Sequence, residues 1–298
     1  MKKYNDMTSF VEDFHTQEQC FAYLTKMKWG AGFVCRKCGH TTSVYGRTWY
    51  YRRCQRCLHD ESCTAHTLFH KIKFPITKAF WIIYQLSTMK KGMSSLEIAR
   101  QYHINKGTAW YFKRKVQQAM QCSSSPLLHG FVQVDETAIG GHEKDKPGRS
   151  HGKKRVVQVA VELEVKRDQI KMKRARAKVI ADSSADEIKA AIDLMVDKDA
   201  VIHSDGWASY PKAASGRAHF IDESGNGSNF PQLHRLIFNI KNWLRGIHHQ
   251  VSSEHLQSYL DEFCYRFDRR NQINTCPLRL LKHFVNHAWF PYKQAIAN

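Results

Sequence analysis

The sequence contains no apolar run long enough to cross a membrane. Its longest apolar stretch, FWIIYQL at residues 80–86, is far shorter than the roughly 20 residues that a membrane-spanning helix needs. The first residues, MKKYNDMTSF, carry charge but are followed by no apolar segment of the kind found in signal peptides. We therefore expect a soluble, cytoplasmic protein with no membrane partner.

Acidic residues are scarce relative to basic ones. The chain of 298 residues has 27 Asp and Glu against 46 Lys and Arg, which gives a formal net charge of +19. A soluble chain this basic most often binds a polyanion, and nucleic acid is the first candidate. The alternative is a general solubility charge spread over the surface. The length leaves room for two or three domains and at least one sizeable core.

The nine cysteines lack the even count that is typical of a secreted disulfide framework. Four of them form two C-x-x-C pairs, CRKC at 35–38 and CQRC at 54–57, and this spacing is typical of a zinc ribbon. Because four thiolates fill a tetrahedral shell, we expect a structural Zn²⁺ with no open position. Ligation by His40, His59 or Cys63 is one alternative, and four unligated core cysteines are another. The expected zinc ligands are Cys35, Cys38, Cys54 and Cys57.

Residues 94–120, SSLEIARQYHINKGTAWYFKRKVQQAM, predict two helices separated by a short turn. Ser94 or Ser95 can cap the first helix, and the second is expected at 108–120. This pattern is typical of a helix-turn-helix, whose second helix can enter the major groove of DNA. The alternative is an ordinary helical hairpin with a solvated basic face. The DNA contacts expected from the second helix are Lys113, Arg114 and Lys115.

Two aspartates lie at strand positions beyond the polar linker at 122–130. Asp135 lies inside the alternating run FVQVDETAIGG, where a carboxylate is costly unless it is paired or bound to metal. Asp205 ends the short apolar run AVIHSDG, just before a glycine turn. The alternative roles are a hydrogen-bonded structural aspartate for Asp135 and a helix N-cap for Asp205.

The order of elements after residue 130 is strand, strand, strand, helix, strand, helix, strand, helix. This order indicates an α/β fold with an RNase H-like mixed sheet, in which the first and fourth strands are neighbours. Asp135 and Asp205 would then face each other and hold two Mg²⁺ ions for an in-line displacement at phosphorus.

Basic residues are concentrated in the predicted third strand and at the end of the stretch YRFDRRN. The span 166–178 is rich in Lys and Arg, which predicts either a phosphate-contacting surface or a solvated strand face. A basic loop, HEKDKPGRSHGKKR at 142–155, precedes the second strand. The further DNA contacts that we expect are Lys173, Arg174, Arg269 and Arg270.

Several stretches of the chain resemble the transposases of the IS1595 group of bacterial insertion sequences, whose catalytic part is called the ISXO2-like domain. The stretches are CRKCGH, CQRC, TAHTLFH, VQVDETAIGG, HSDGW and NIKNWLRGIHHQVSSEHLQSYLDEFCYRFDRRN. The resemblance implies a DDE-type transposase with an RNase H-like core, bound to double-stranded DNA as a homo-oligomer and associated with the bacterial nucleoid. Such enzymes cut a strand at each terminal inverted repeat and join the freed 3′-hydroxyl to target DNA, using Mg²⁺ or Mn²⁺.

The resemblance also implies catalytic positions. Asp135 and Asp205 match the first two acids, and Asn239 matches the third position, which is Asn in part of the family. Lys241 or Arg245 would supply the cation of the DDNK pattern. On a helix, Arg245 lies near the face of Asn239, whereas Lys241 points away from it.

Because an amide brings no charge, either the second ion binds more weakly or another carboxylate helps to offset the metal charge. Glu262 is the candidate, since Glu136 lies on the opposite face of a regular strand from Asp135.

Four regions follow from these patterns: an N-terminal helical segment at 1–30, a zinc ribbon at 31–70, a helix-turn-helix region at 71–122 and an RNase H-like catalytic domain at 128–298. Two other functions remain open. One is a catalytically impaired DNA-binding regulator, and the other is an RNase H-like nuclease without strand transfer.

Overall fold

The computed structural model of the chain describes residues 2–121, 126–140, 154–167, 169–222, 229–248 and 251–297. The chain divides into two units, Met1–Met120 with Gln272–Asn298, and Gln121–Asn271. Parts of the expected linker at 122–130 and of the basic loop at 142–155 lie outside the described residues. In the described ranges, no helix is long and apolar enough to cross a membrane.

The first unit begins with two helices, α1 (Met7–Asp13) and α2 (Gln17–Trp29). Thr16 and Gln19 form a reciprocal capping box at the start of α2, which satisfies two amides that the helix leaves unbonded. A three-stranded antiparallel sheet follows, with its strands in chain order. These strands are β1 (Ser43–Tyr45), β2 (Tyr51–Cys54) and β3 (Asp60–Ser62).

Three further helices complete the N-terminal part of this unit: α3 (Ile76–Thr88), α4 (Ser95–Tyr102) and α5 (Lys106–Ala119). The Ser94 hydroxyl accepts a hydrogen bond from the Glu97 amide at 3.1 Å, so Ser94 rather than Ser95 is the N-cap of α4. The two helices expected at 94–120 are therefore present, and α5 begins two residues earlier than expected, at Lys106.

The second unit contains a five-stranded mixed sheet in the order β6-β5-β4-β7-β8. Pairing is antiparallel between β4 and β5 and between β5 and β6, but parallel between β4 and β7 and between β7 and β8. The first and fourth strands of this unit are therefore neighbours, as the order of elements predicted. The strands are β4 (Phe131–Ile139), β5 (Arg155–Lys166), β6 (Gln169–Ile180), β7 (Val201–Ser204) and β8 (Ala218–Ile221).

Helices cover both faces of the sheet, and each face has its own core. One core joins Val132 and Val134 of β4 to α6 (Ala185–Met195) and α7 (Tyr210–Ala213). The other joins β5 and β6 to α8 (Pro231–Ile247) and α9 (Leu256–Asp268), which follows a short 3₁₀ turn. Because side chains alternate along a strand, Asp135 lies on the face that α8 covers.

The last part of the chain belongs to the first unit, which differs from the single domain expected at 128–298. It contains α10 (Cys276–Asn286) and α11 (Tyr292–Ala297). The ring of Phe284 lies 4.8 Å from that of Phe69 and 5.8 Å from that of Phe112. The boundary falls at Gln272 because α10 buries its apolar face on these aromatic residues.

Candidate metal centres and DNA contacts

The four cysteines of the C-x-x-C pairs form one tight cluster. Their Sγ atoms all lie within 4.8 Å of one another. Contacts run across the pairs, with 3.5 Å between the sulfurs of Cys35 and Cys57 and 3.6 Å between those of Cys38 and Cys54. Among the described residues, no other group of three or more His, Cys, Asp or Glu is as close as this.

The two pairs are built on the same backbone turn. The Gly39 amide donates to the Cys35 carbonyl at 2.8 Å, and the Leu58 amide donates to the Cys54 carbonyl at 3.0 Å. The backbone carbonyls of His40 and His59 accept from the first cysteine of each turn at 2.8 and 3.0 Å. The histidines therefore close the turns through their main chains, and the cluster consists of sulfurs alone.

The electrostatics of the cluster favour a bound cation. Burial tends to raise the pKa of the Cys54 thiol, but the backbone amides of Cys57 and Arg56 outweigh it and lower that pKa to about 7. The His40 amide tends to lower the pKa of the Cys38 thiol. Burial and the sulfurs of the other three cysteines outweigh this effect and raise that pKa to about 12. Several thiolates this close together are stable only around a positive ion, and sulfur donors in a tetrahedral set suit zinc. The cluster therefore fits a structural zinc.

Cys63 is not part of this cluster. Its side chain is fully buried, and burial raises the pKa of its thiol to about 11, so it is protonated at neutral pH. Cys63 is therefore a core residue rather than a substitute ligand.

Asp135 and Asp205 lie where the pairing of two parallel strands ends. The last paired residues of β4 and β7 are Gln133 and His203, and Asp135 and Asp205 each lie two residues beyond this last pair. Neighbouring strands are about 4.8 Å apart, so both aspartates lie at the same end of the β4–β7 pair. This arrangement follows from the parallel pairing.

Both aspartates are partly buried and held by backbone amides. The Oδ1 atom of Asp135 accepts from the Glu136 amide at 2.8 Å, and its side chain is 19% exposed. The Oδ1 atom of Asp205 accepts from the Trp207 amide at 3.2 Å. Because α7 begins only at Tyr210, Asp205 is not its N-cap.

The helix α8 presents His234 to Asp135. The His234 Nε2 atom lies 3.8 Å from the Asp135 Oδ2 atom. His234 was not predicted as a site residue from the sequence, although it precedes Lys241 by seven residues and therefore shares its helix face. This spacing was the signal in the sequence that could have found it.

Lys241 interacts electrostatically with the same carboxylate. The pKa of Lys241 is lowered mainly by burial and next by Arg245, while Asp135 acts to raise it and Lys154 to lower it further. Lys241, Arg245, Lys154 and Asp135 therefore interact electrostatically. His234, Lys241 and Arg245 recur at intervals of seven and four residues, so they lie along one side of α8.

Asn239 lies on a different side of α8. It is exposed, and its position is turned by roughly 140° from that of His234 around the helix axis. Lys241 and Arg245 both lie on the His234 side of α8. Their positions relative to Asn239 therefore do not show which of them supplies the cation of the DDNK pattern.

The two glutamates considered as helpers are directed elsewhere. Glu136 faces the opposite core from Asp135, as alternation predicts, and it adds to the effect of burial in raising the pKa of the fully buried Tyr210. Glu262 is almost completely buried in α9, and its Oε1 atom lies 3.8 Å from the Arg266 Nη1 atom. Glu262 therefore does not provide an exposed carboxylate for a metal at Asp135.

The model of the ISXO2-like transposase domain matches residues 127–268, and the model of the transposase zinc-ribbon domain matches residues 15–60. The chain carries both domains of the IS1595 transposases. No curated protein matches the chain. The matched transposase domain runs from the start of the mixed sheet to the end of α9, in agreement with the second structural unit. The matched zinc ribbon also takes in α2, upstream of the 31–70 that we expected.

The three DNA contacts predicted from α5 are buried in the first unit. Lys113, Arg114 and Lys115 are 4%, 3% and 1% exposed, respectively. The Lys113 ammonium donates to the Met93 carbonyl at 2.7 Å, and the Lys115 ammonium donates to the His70 carbonyl at 2.8 Å. The burial does not support DNA contact by these residues, and it also excludes the alternative of a solvated basic face at these three positions, because the long side chains bury their stems and find acceptors inside the unit.

Two of the four other predicted DNA contacts, Arg174 and Arg270, connect separate segments of the transposase domain. Arg174 pairs with Glu162 and donates to the carbonyls of Pro126 and Leu127. Arg270 donates to the carbonyls of Lys173 and Met172.

The other two predicted contacts, Arg269 and Lys173, have different surroundings. Arg269 stacks on the ring of Tyr265 at 3.7 Å and donates to the Tyr265 carbonyl. Lys173 is 43% exposed, although its Nζ atom lies 3.7 Å from carboxylate oxygens of both Glu162 and Glu164. Of the four residues predicted around β6 and the end of α9, Lys173 is the one best placed to meet a phosphate.

Proposed function

We propose that the chain is a DNA transposase that cleaves insertion-sequence ends and joins the 3′-hydroxyl to target DNA, in an RNase H-like core. The observation that supports the proposal is the parallel pairing of β4 and β7, whose last pair, Gln133 and His203, lies two residues before Asp135 and Asp205. In the second unit, β4, β5 and β6 form an antiparallel meander, and β7 lies beside β4. This topology supports the RNase H-like assignment.

The donor set suits Mg²⁺ or Mn²⁺. Carboxylate oxygens are the ligands that hard divalent cations prefer, and Mg²⁺ sites commonly use one or two carboxylates together with water and substrate phosphate. Asp135 and Asp205 would hold the ions. When bound, such ions activate an attacking oxygen and stabilise the leaving oxygen. Because no acidic triad is preassembled among the described residues, we propose that DNA phosphate completes the site.

The protein side chains supply charge and orientation. Lys241 interacts electrostatically with Asp135, and Arg245 and Lys154 in turn act on Lys241, so the positive charge of this group would favour the approach of a phosphodiester. We assign the cation of the DDNK pattern to Lys241, because it interacts electrostatically with Asp135. A positioned ammonium at the phosphoryl oxygens stabilises the charge that develops during the displacement. We assign Asn239, which is exposed, to contact with the bound DNA.

DNA recognition is assigned to the first unit. We propose that α4 and α5 form a helix-turn-helix, with contacts from the first turn of α5, where Lys106 is exposed, rather than from its buried centre. The zinc ribbon adds exposed pairs of arginine and aromatic side chains, with Arg52 at 4.5 Å from the ring of Tyr45 and Arg47 at 4.3 Å from that of Tyr51. Such pairs suit contacts with nucleic acid.

Strand transfer of a pre-cleaved terminal repeat into target DNA tests the proposal. We expect Asp135→Asn and Asp205→Asn to abolish joining in Mg²⁺, because each removes a metal-binding charge. Lys241→Met should reduce joining by about 100-fold or more, and Arg245→Met, the matched control, by much less. Full activity of Asp135→Asn would contradict the site.

The same assay separates the two rival functions. A DNA-binding regulator would bind terminal repeats but neither nick nor join them. A nuclease would nick them without joining. Light scattering of the protein with paired end DNA tests the expected homo-oligomer, which a single subunit per DNA end pair would contradict.

A further inference from the structure

A pocket of about 370 Å³ lies in the first unit beside the start of α5. Its walls come from residues 71–74, from α5 with its cap Asn105, and from Tyr292 at the start of α11. Ligand sites for small molecules occupy roughly 300–1,000 Å³, so this volume suits one ring system with its substituents rather than a segment of chain. The zinc cluster and the two aspartates beyond β4 and β7 use none of these residues.

Aromatic rings line the pocket and are held in place by their neighbours. The rings of Phe74 and Phe112 are 5.1 Å apart at 85°, and those of Tyr111 and Tyr292 are 5.3 Å apart at 87°. Such edge-to-face pairs are a favoured arrangement of aromatic rings. The Tyr111 hydroxyl also donates to the Phe290 carbonyl. Phe112 is buried, whereas Tyr292 is 52% exposed, so the aromatic lining runs from the interior of the unit to its surface.

The charged groups of the pocket are positive. Among the described residues that line it, none is acidic and three are lysines. Lys71 and Lys73 are exposed, whereas the ammonium of the buried Lys115 lies 4.8 Å from the centre of the Tyr111 ring. Gly107 belongs to the first turn of α5, which contains no acidic residue, so the positive end of the helix dipole adds to the charge of the lysines. The pocket therefore favours an anion and disfavours a metal cation.

A nucleotide combines the two chemistries that the pocket offers. Aromatic side chains can stack on any base, because every base has a π face, and lysines bind phosphate as point charges. A base that is paired inside a duplex presents only its edges, so it must leave the stack before an aromatic surface can cover its face. The pocket lies at the N-terminal end of α5, which is where a recognition helix meets the bases of its DNA.

Resting on the proposed recognition of DNA by the first unit, we infer that this pocket binds one unpaired nucleotide, with its base against the aromatic rings and its phosphate at Lys71 and Lys73. The nucleotide can come from DNA, as a base turned out of the duplex beside α5, or from a free mononucleotide. Either source presents the same base and phosphate, so the two are separated by experiment.

Equilibrium binding by the zinc-loaded full chain tests this inference without an activity assay. The probes are three fluorescein-labelled duplexes of one sequence: one fully paired, one with a single unpaired adenosine, and one with a single unpaired abasic nucleotide. We expect the duplex with the unpaired adenosine to bind about 10-fold more tightly than the other two, because only its extra base can stack on the aromatic rings. Calorimetry with deoxyadenosine monophosphate tests the free nucleotide.

Two variants remove the pocket in different ways. Tyr292→Ala deletes an exposed ring, and Thr108→Trp fills the cavity. We expect both to abolish the preference for the unpaired adenosine. Ile296→Ala, the matched control on α11 with 54% exposure, should retain it. Lys73→Ala should weaken binding of deoxyadenosine monophosphate, and Lys90→Ala, which removes another exposed lysine of the first unit, should not.

The outcomes separate this inference from the proposed function. Equal affinity for the three duplexes, together with no binding of deoxyadenosine monophosphate, would overturn the nucleotide pocket and leave DNA recognition by the first unit standing. Equal affinity for the duplexes with mononucleotide binding that Tyr292→Ala removes would assign the pocket to a free nucleotide. Loss of the preference in Ile296→Ala as well would overturn the pocket in favour of a packing role for α11. If no duplex binds the wild type, DNA recognition itself fails, and the calorimetry alone decides the pocket.

Discussion

Gly39 and Leu58 occupy equivalent positions in the two zinc-binding turns, but only one of them is a glycine. Both amides bond to the first cysteine of their turn, and both residues have left-handed φ angles, 72° for Gly39 and 56° for Leu58. This conformation costs an ordinary side chain roughly 1 kcal/mol or more, and the Leu58 side chain is 70% exposed. The second turn is therefore strained without a packing contribution that would offset the strain.

Relief of this strain should stabilise the zinc ribbon. We expect Leu58→Asn to raise the free energy of unfolding by about 0.5–1 kcal/mol, because asparagine tolerates left-handed φ and lacks the entropic cost of glycine. Thermal unfolding of the zinc-loaded protein measures the change. Leu96→Asn is the control, since Leu96 is another exposed leucine but lies in the regular helix α4. An equal gain at both positions would show that removal of exposed apolar surface, rather than strain, is responsible.

Removal of zinc should unfold the ribbon. Zinc binding is coupled to folding in small four-cysteine sites, and proton binding to the thiolates competes with the metal as pH falls. We expect Cys38→Ser to release zinc at a higher pH than the wild type does, as measured with a chromogenic zinc indicator. Cys63→Ser should retain wild-type zinc release, because Cys63 is buried outside the cluster. Equal loss of zinc from both variants would contradict the four-cysteine assignment.

Lys115 should make stability depend on pH in the alkaline range. Burial lowers the pKa of its ammonium from 10.5 to about 8 in the folded protein. Between these values the unfolded chain binds more protons, so the free energy of unfolding should rise with pH from about 8 to 10.5, by about 3 kcal/mol. Urea unfolding at a series of pH values measures this rise.

The matched variants are Lys115→Met and Lys106→Met, since Lys106 is an exposed lysine of the same helix. We expect the alkaline rise to disappear in Lys115→Met and to persist in Lys106→Met. Persistence in both variants would show that another group carries the titration.

A buried ion pair connects α2 to the ribbon. The Lys28 Nζ atom lies 2.6 Å from the Glu61 Oε1 atom, and their side chains are 9% and 2% exposed. We expect Glu61→Gln to cost about 3–5 kcal/mol, because it leaves the buried Lys28 ammonium without its carboxylate, and Lys28→Met to cost less, because Arg36 Nε lies 3.6 Å from the Glu61 Oε1 atom. The double variant should cost less than the two single losses combined, which denaturant unfolding can measure. Lys2→Met, which breaks the exposed pair with Asp13, should cost less than about 1 kcal/mol.

Local patterns in the sequence were sufficient for much of the fold. The cysteine spacing predicted the cluster, because two turns of fixed geometry leave few ways to arrange four sulfurs. Ser94 predicted the start of α4, because capping is a local interaction. Strand alternation placed Glu136 on the opposite face from Asp135.

Features that depend on long-range packing could not be predicted. The basic run in α5 is typical of a solvated face, but tertiary packing buried it by giving each ammonium a carbonyl acceptor. His234 was missed because the helix face was judged relative to Asn239, whereas the rotation of α8 on the sheet decides which face meets Asp135. The return of α10 to the first unit depends on contacts with Phe69 and Phe112 that are distant in the sequence.

That return makes the transposase domain an insertion within a discontinuous zinc-ribbon unit. During synthesis, the segment from Gln272 is translated after the whole second unit. Because domains fold as their residues emerge, the mixed sheet can assemble before the first unit acquires α10. A nascent chain therefore leaves uncovered the parts of Phe69 and Phe112 that contact Phe284 until α10 has emerged, and a product truncated before Gln272 retains an incomplete first unit.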